Sequence, residues 1–157
     1  MKKIMIKPST VVNLATGFGL GRHSRMPGTW GTLLGIPLYM LLYNQPTYLY
    51  LLAVISLYFL GVKICSDAAK ELKDKDPGIV VFDEAIGFLL ALTWVPNNAI
   101  AIAITFIVFR CFDIAKPFPI RWVESRLTLG YAIMLDDIVA GIYTLLFMHI
   151  LVLPAFP

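Results

Sequence analysis

The chain has 157 residues, which fits one domain, and 59% of them are hydrophobic while only 15% are charged. A soluble globular domain is nearer half apolar and a quarter charged. This composition, with a mean hydropathy of +0.78, therefore points away from ordinary soluble enzymes and towards a membrane. The net charge of +3 matters less for its size than for its placement, and no nucleic-acid partner is expected.

Met1 to Lys7 holds three lysines but no apolar run leading to a small-residue cleavage site, so no removable signal peptide is expected. Residues 8–21 are apolar but broken by glycines, which suits an interfacial or re-entrant segment better than a span. Every charged residue then falls in one of three blocks, Lys2 to Arg25, Lys63 to Glu84 and Arg110 to Asp137, separated and followed by the charge-free stretches 26–62, 85–109 and 138–157. The first stretch is too long for one crossing, since about 20 residues suffice. Asn44-Gln45-Pro46-Thr47 divides it into spans at about Thr29–Tyr43 and Tyr48–Cys65. Residues 66–76 read as a helix carrying the second span into water, with Ser66 as a candidate cap and Pro77-Gly78 as its end.

Residues 85–109 would place Pro96-Asn97-Asn98 near mid-bilayer if they formed one span, which is costly for unpaired amides. A tight hairpin with spans at about 79–95 and 99–113 avoids this, and a last span covers about Ala132–Leu153. The expectation is an all-α, polytopic membrane bundle of about five transmembrane helices, a single domain over residues 1–157. All thirteen Lys and Arg residues then lie on one side, which the preference of cationic loops makes cytoplasmic.

Four clusters on that side can carry chemistry. The first is Pro27-Gly28-Thr29-Trp30-Gly31-Thr32, preceded by Gly17, Gly19, Gly21, Arg22, His23 and Arg25. Glycines admit backbone N–H groups to an anion and a helix N-terminus favours it; close helix packing through small residues is the alternative. The second is Asp83-Glu84 with Gly87 one turn on, two carboxylates opening an apolar helix. The third is Arg110, Asp113 and Lys116, spaced to share a helix face that Pro117 and Pro119 then end, with Arg121 beyond. The fourth is Asp136-Asp137, followed by Ala140 and Gly141, where a neighbouring helix or a ligand can come close. Taken singly, each carboxylate pair also suits a solvated helix N-terminus. Together, five carboxylates at nearly one depth would repel one another severely without a cation, and all-oxygen ligands beside phosphate favour magnesium over zinc.

These motifs resemble one family, the bacterial phosphatidylglycerophosphatases A. The resemblance runs from about Gly17 to Gly141 through GFGLG…PGTWGT (17–32), DPGIVVFDEAIG (76–87), FRCFDIAKPFPIRW (109–122) and GYAIMLDDIVAG (130–141), in the same order and at compatible spacing. It implies a small inner-membrane enzyme that removes the terminal phosphate of phosphatidylglycerophosphate, using magnesium, to give phosphatidylglycerol. Arg22-His23-Ser24-Arg25 is more basic than that family's loop, so no family role is carried onto His23. On this reading Asp83, Glu84, Asp136 and Asp137 hold Mg2+, and Asp113 is a further ligand or an orienting partner. Arg110 and Lys116, with the Gly28-Thr29 backbone, meet the phosphate. The preferred nucleophile is a water activated by the metal and one carboxylate; an aspartyl-phosphate, or attack by Thr29 or Thr32, stays open.

Other phosphatase chemistries fit poorly. Neither Cys65 nor Cys111 begins a phosphate loop with an arginine six residues on, and His149 falls in the last apolar span, near its far side. Asp74-Lys75-Asp76-Pro77 is only superficially like an aspartyl-phosphatase motif. A CDP-alcohol phosphatidyltransferase would need a longer Asp-Gly…Ala-Arg…Asp pattern that is missing, and an ion or lipid transporter would need polar residues continuing across the spans.

Overall fold

The computed structural model describes residues 9–23, 25–118, 120, 122, 127 and 129–155, and among these every regular element is helical. The lysines of the first eight residues, Ser24, Pro119 and Arg121 lie outside the described residues. The elements are α1 (Thr10–Ala15), α2 (Leu20–His23), α3 (Pro27–Leu42), α4 (Thr47–Leu72), α5 (Phe82–Ala91), α6 (Ala99–Ala115) and α7 (Gly130–Phe147). A π-helical turn, Met148–Val152, and a short 3₁₀ turn, Leu153–Ala155, prolong α7.

The boundaries follow local chemistry. Pro27 opens α3 at the one helical position that needs no N–H. Pro46 precedes α4, and the Asn98 side chain caps α6 by accepting from the Ala101 N–H at 2.8 Å. Helix α6 stops because Lys116, whose next residue is Pro117, turns left-handed with φ 43°. A residue before proline is disfavoured from continuing a helix. Helix α4 runs unbroken through Ser66, which therefore caps nothing. It ends at Leu72, with Lys73 in the left-handed conformation at φ 55°, five residues before the expected stop at Pro77.

The short α5 is the hub. Ala85, Ile86, Phe88, Leu89, Ala91 and Leu92 are all buried, and the helix packs against α3, α4, α6 and above all α7. Its contact with α7 is glycine on glycine. A Cβ at Gly87 would meet the Asp137 carbonyl oxygen at 2.6 Å, and one at Gly141 would meet the Gly87 carbonyl oxygen at 2.5 Å. The backbones approach as closely as small residues allow, so Gly141 serves a neighbouring helix. Helix α5 is also shorter than the span expected over 79–95. At ten residues it covers about 15 Å, half of a ~30 Å hydrocarbon core. One of its last carbonyls is satisfied from the side, the Tyr50 hydroxyl donating to the Leu89 oxygen at 2.6 Å, and in the turn beyond it the Tyr39 hydroxyl donates to the Val95 carbonyl at 2.7 Å.

The N-terminal segment 9–23 folds back rather than crossing. Val12, Ala15 and Thr16 are buried, α1 packs on α4, and the Val81 N–H donates to the Ala15 carbonyl at 2.9 Å. The turn that follows is left-handed at three successive residues, Gly17, Phe18 and Gly19, and glycine adopts that conformation without strain at two of them.

Among the described residues two helical stretches, Thr47–Leu72 and Gly130–Ala155, are long and apolar enough to cross a bilayer, fewer than the five expected. Helices α3 and α6, with 16 and 17 residues, fall just short of the ~20 that a crossing needs. The outward faces are nonetheless apolar. Leu52, Ile55 and Phe59 on α4, Ile100 and Ile107 on α6, and Ile150 and Leu151 after α7 are all more than half exposed. Such surface is foreign to a soluble monomer.

Candidate active site

The fold gathers four helix ends and one loop at one end of the bundle: the starts of α3, α5 and α7, the end of α6, and the loop after α4. A cleft of about 420 Å³ opens there. The sequence-expected residues Gly28, Thr29, Asp83, Glu84, Arg110, Asp113, Lys116, Asp136 and Asp137 all line it. So do Asp76, Pro77 and Gly78, for which the sequence suggests no part in the chemistry. The signal for Asp76 was present, since DPGIVVFDEAIG begins with it, but a lone acid in a charged, water-exposed loop looks like surface.

Thr32 is not brought into the cleft. It is buried one turn down α3, its hydroxyl donating to the Gly28 carbonyl at 2.8 Å. Thr32→Val is therefore expected to keep phosphate release at the wild-type level, whereas a nucleophilic hydroxyl would be indispensable; a rate assay decides.

Within the cleft the carboxylates divide into two sets. Asp83, Glu84 and Asp137 each present an oxygen within 4.8 Å of the other two. Asp83 Oδ1, Glu84 Oε2 and Asp137 Oδ1 are buried without a hydrogen-bond partner among the described residues. Buried charges of one sign this close are strongly unfavourable unless they take up protons or a cation lies among them. Of the remaining three, Asp113 and Asp136 are engaged by cations. Arg110 pairs with Asp113 one turn along α6. Lys116 Nζ lies 2.7 Å from Asp136 Oδ2, while the Asp137 N–H donates to Asp136 Oδ1 at 3.0 Å. Lys116 thus differs from expectation: it follows the end of α6 instead of sharing that helix's face with Arg110 and Asp113, and it reaches across to α7.

The glycines of the first cluster make room for side chains. A Cβ at Gly28 would meet Glu84 Oε1 at 2.5 Å and the Arg110 guanidinium at 2.7 Å, and one at Gly31 would meet Glu84 Oε2 at 2.9 Å. Glu84 is seated in a notch along α3. Counting the lining residues, six carboxylates (Asp76, Asp83, Glu84, Asp113, Asp136, Asp137) face two cations (Arg110, Lys116). Alone, so acidic a cleft would repel a phosphate; with divalent cations bound it would attract one. Three unpartnered oxygens from two helices, all hard donors, fit Mg2+.

Fold and site together define a helical-bundle protein with an acidic, cation-flanked cleft at one end of its apolar helices. The chain belongs to the phosphatidylglycerophosphatase A family, whose model matches residues 13–152. It is 42% identical over 130 residues to phosphatidylglycerophosphatase A of Escherichia coli (strain K12), covering 82% of this chain and 76% of that protein. It is 36% identical over 135 residues to the Haemophilus influenzae protein of the same name, covering 85% and 83%. A Bacteroides thetaiotaomicron protein with the provisional name phosphatidylinositol-3-phosphatase is 33% identical over 148 residues, covering 89% and 92%. No solved structure gives a significant match.

Proposed function

We propose that this chain is a membrane phosphatase that hydrolyses the terminal phosphate monoester of phosphatidylglycerophosphate to give phosphatidylglycerol and phosphate. The observation that carries the reading is the convergence of Asp83, Glu84 and Asp137, with unpartnered oxygens, beside Arg110 and Lys116 in a chain of this family. The names of all three relatives share one chemistry, a phosphate monoester on a lipid headgroup.

The membrane reading extends the two long apolar stretches to a multi-pass chain of five segments in a bacterial cytoplasmic membrane. Helices α3 and α6 complete their crossings with flanking residues, and the short α5 lies largely within protein while the turn at Pro96–Asn98 and the outer face of α6 are exposed. The restriction of all charge to one side of the expected spans supports a cleft that faces the cytoplasm. A phosphate at headgroup level in the inner leaflet can then reach the helix ends while its acyl tails stay in the bilayer.

Mg2+, held by Asp83, Glu84 and Asp137 with Asp136 at hand, would supply Lewis-acid charge against the phosphoryl oxygens. Arg110 and Lys116 hold and neutralise the remaining oxygens as charge builds on them. Because each is already paired with an aspartate, each is positioned before substrate arrives. Water attacks phosphorus as one cleft carboxylate takes its proton, the bond from phosphorus to the glycerol oxygen breaks, and the carboxylate passes that proton to the leaving oxygen.

The test is phosphate release from the full chain in detergent, after chelation and again after stepwise addition of Mg2+. Release from phosphatidylglycerophosphate that vanishes on chelation and returns with Mg2+ is the expected result. Release indifferent to chelation would remove the metal from the proposal. No release with any divalent cation would remove the phosphatase.

A further inference from the structure

We propose that the apolar groove between the end of α6 and the outer face of α7 holds one acyl chain of the lipid whose phosphate enters the cleft, an inference that rests on the phosphatase reading above. The groove has a volume of about 370 Å³, within the range of small-ligand sites, and is walled by Phe112, Pro117, Phe118, Tyr143 and Phe147, with Ile150 near its lower end.

Continuity with the cleft identifies the occupant. The segment from Phe112 to Phe118 borders both: Asp113, Ile114 and Lys116 line the cleft, while Phe112, Pro117 and Phe118 line the groove. On α7, residues 136, 143 and 147 are spaced 7 and 4 apart, so they form one stripe, and Ile150 in the π-helical turn follows three residues on. Asp136, paired with Lys116, heads that stripe, and the groove occupies its lower part. From Tyr143 to Leu151 the groove runs about 12 Å along the helix axis, close to the ~15 Å depth of one leaflet's hydrocarbon. A molecule with an anionic head and a slender apolar tail matches this succession, as a phospholipid does.

The walls are braced without a ligand. The Tyr143 hydroxyl donates to the Phe118 carbonyl at 2.8 Å, and the Phe112 ring stands 5.6 Å from Tyr143 and 6.1 Å from Phe147. Phe118, Ile150 and Leu151 are each more than half exposed, so a chain can enter sideways from the bilayer. Lipid tails are as apolar as this groove, so the gain is in shape-matched contact and in positioning the headgroup.

The test measures KM for phosphatidylglycerophosphate with two long acyl chains and with two short ones, in mixed micelles. The wild type is compared with Leu146→Trp and Leu151→Trp, which fill the groove, and with Ile55→Trp, placed in a separate apolar groove on α4. Filling the groove is expected to raise the long-to-short ratio of KM about five-fold or more through lost positioning. Ile55→Trp should leave that ratio unchanged. An unaltered ratio in both groove variants, with wild-type helix content by circular dichroism, overturns the proposal. So does an unaltered ratio accompanied by loss of a dimer, which would make the groove an interface between copies. Failure of the phosphatase reading looks different: wild-type protein then releases phosphate from neither substrate.

Discussion

Replacing Asp137 by asparagine is expected to lower the rate of phosphate release by about 10²–10³-fold or more, the scale of losing one preorganised electrostatic group. The same change should raise thermal stability when no divalent cation is present. Asp137 is 3% exposed, its Oδ1 has no partner, and oxygens of Asp83 and Glu84 lie within 4.8 Å. Asparagine keeps the shape and removes one of three crowded charges. At an intermediate effective dielectric that repulsion is on the order of 1 kcal/mol or more, worth about 2–4 °C in Tm for a chain of this size. Adding Mg2+ should reverse the order, stabilising the wild type by mass action and the variant much less. A thermal scan with and without the cation, beside a rate assay, reads both effects. A variant that loses activity and stability together would instead make Asp137 an ordinary packing residue.

Gly87→Ala carries the second large effect. Alanine is the better helix former by about 1 kcal/mol, so propensity alone predicts a gain. Packing opposes it: the new Cβ would stand 2.6 Å from the Asp137 carbonyl oxygen and 2.9 Å from the Asp137 Cβ, neither of which can swing aside. Overpacking of this kind costs about 1–3 kcal/mol and should prevail. Any relief must move α5 away from α7 and so part Asp83 and Glu84 from Asp137. A displacement near 1 Å at a reacting site costs about 10²-fold in rate. The variant is thus expected to be less stable and nearly inactive even with ample Mg2+. Wild-type Tm and rate would show that the two backbones are not in contact.

Much of this was legible in the sequence, for reasons that differ by element. The division between α3 and α4 at Asn44–Thr47 and the start of α6 after Asn98 were readable because proline and asparagine act locally. The acidic pairs were readable because carboxylates beside apolar runs have few other uses. What escaped depended on contacts between distant residues. The early end of α5 is braced by tyrosines of distant helices, Tyr50 of α4 on the Leu89 carbonyl and Tyr39 of α3 on the Val95 carbonyl just beyond, which no local pattern reveals. Lys116 was assigned to the α6 face by counting residues, although Pro117 beside it had already given the opposite signal. Thr32 shared a glycine-rich motif with Gly28 and Thr29, yet one turn of helix carries it out of the cleft. The separation of Asp136 from the converging trio was also illegible, because it depends on the reach of a lysine twenty positions away.

The notch along α3 has a consequence for how such a sequence can drift. Gly28 and Gly31 leave a space that the Glu84 carboxylate and the Arg110 guanidinium already fill, so four positions on three helices share one volume. A lineage that acquires a methyl group at position 28 has to recover that room elsewhere, by shortening the acid at 84 or the base at 110. Across diverged relatives, positions 28, 31, 84 and 110 should therefore change together or not at all, as residues in mutual contact do. Trp30 lies between the two glycines but is nearly half exposed, and it is free to vary alone.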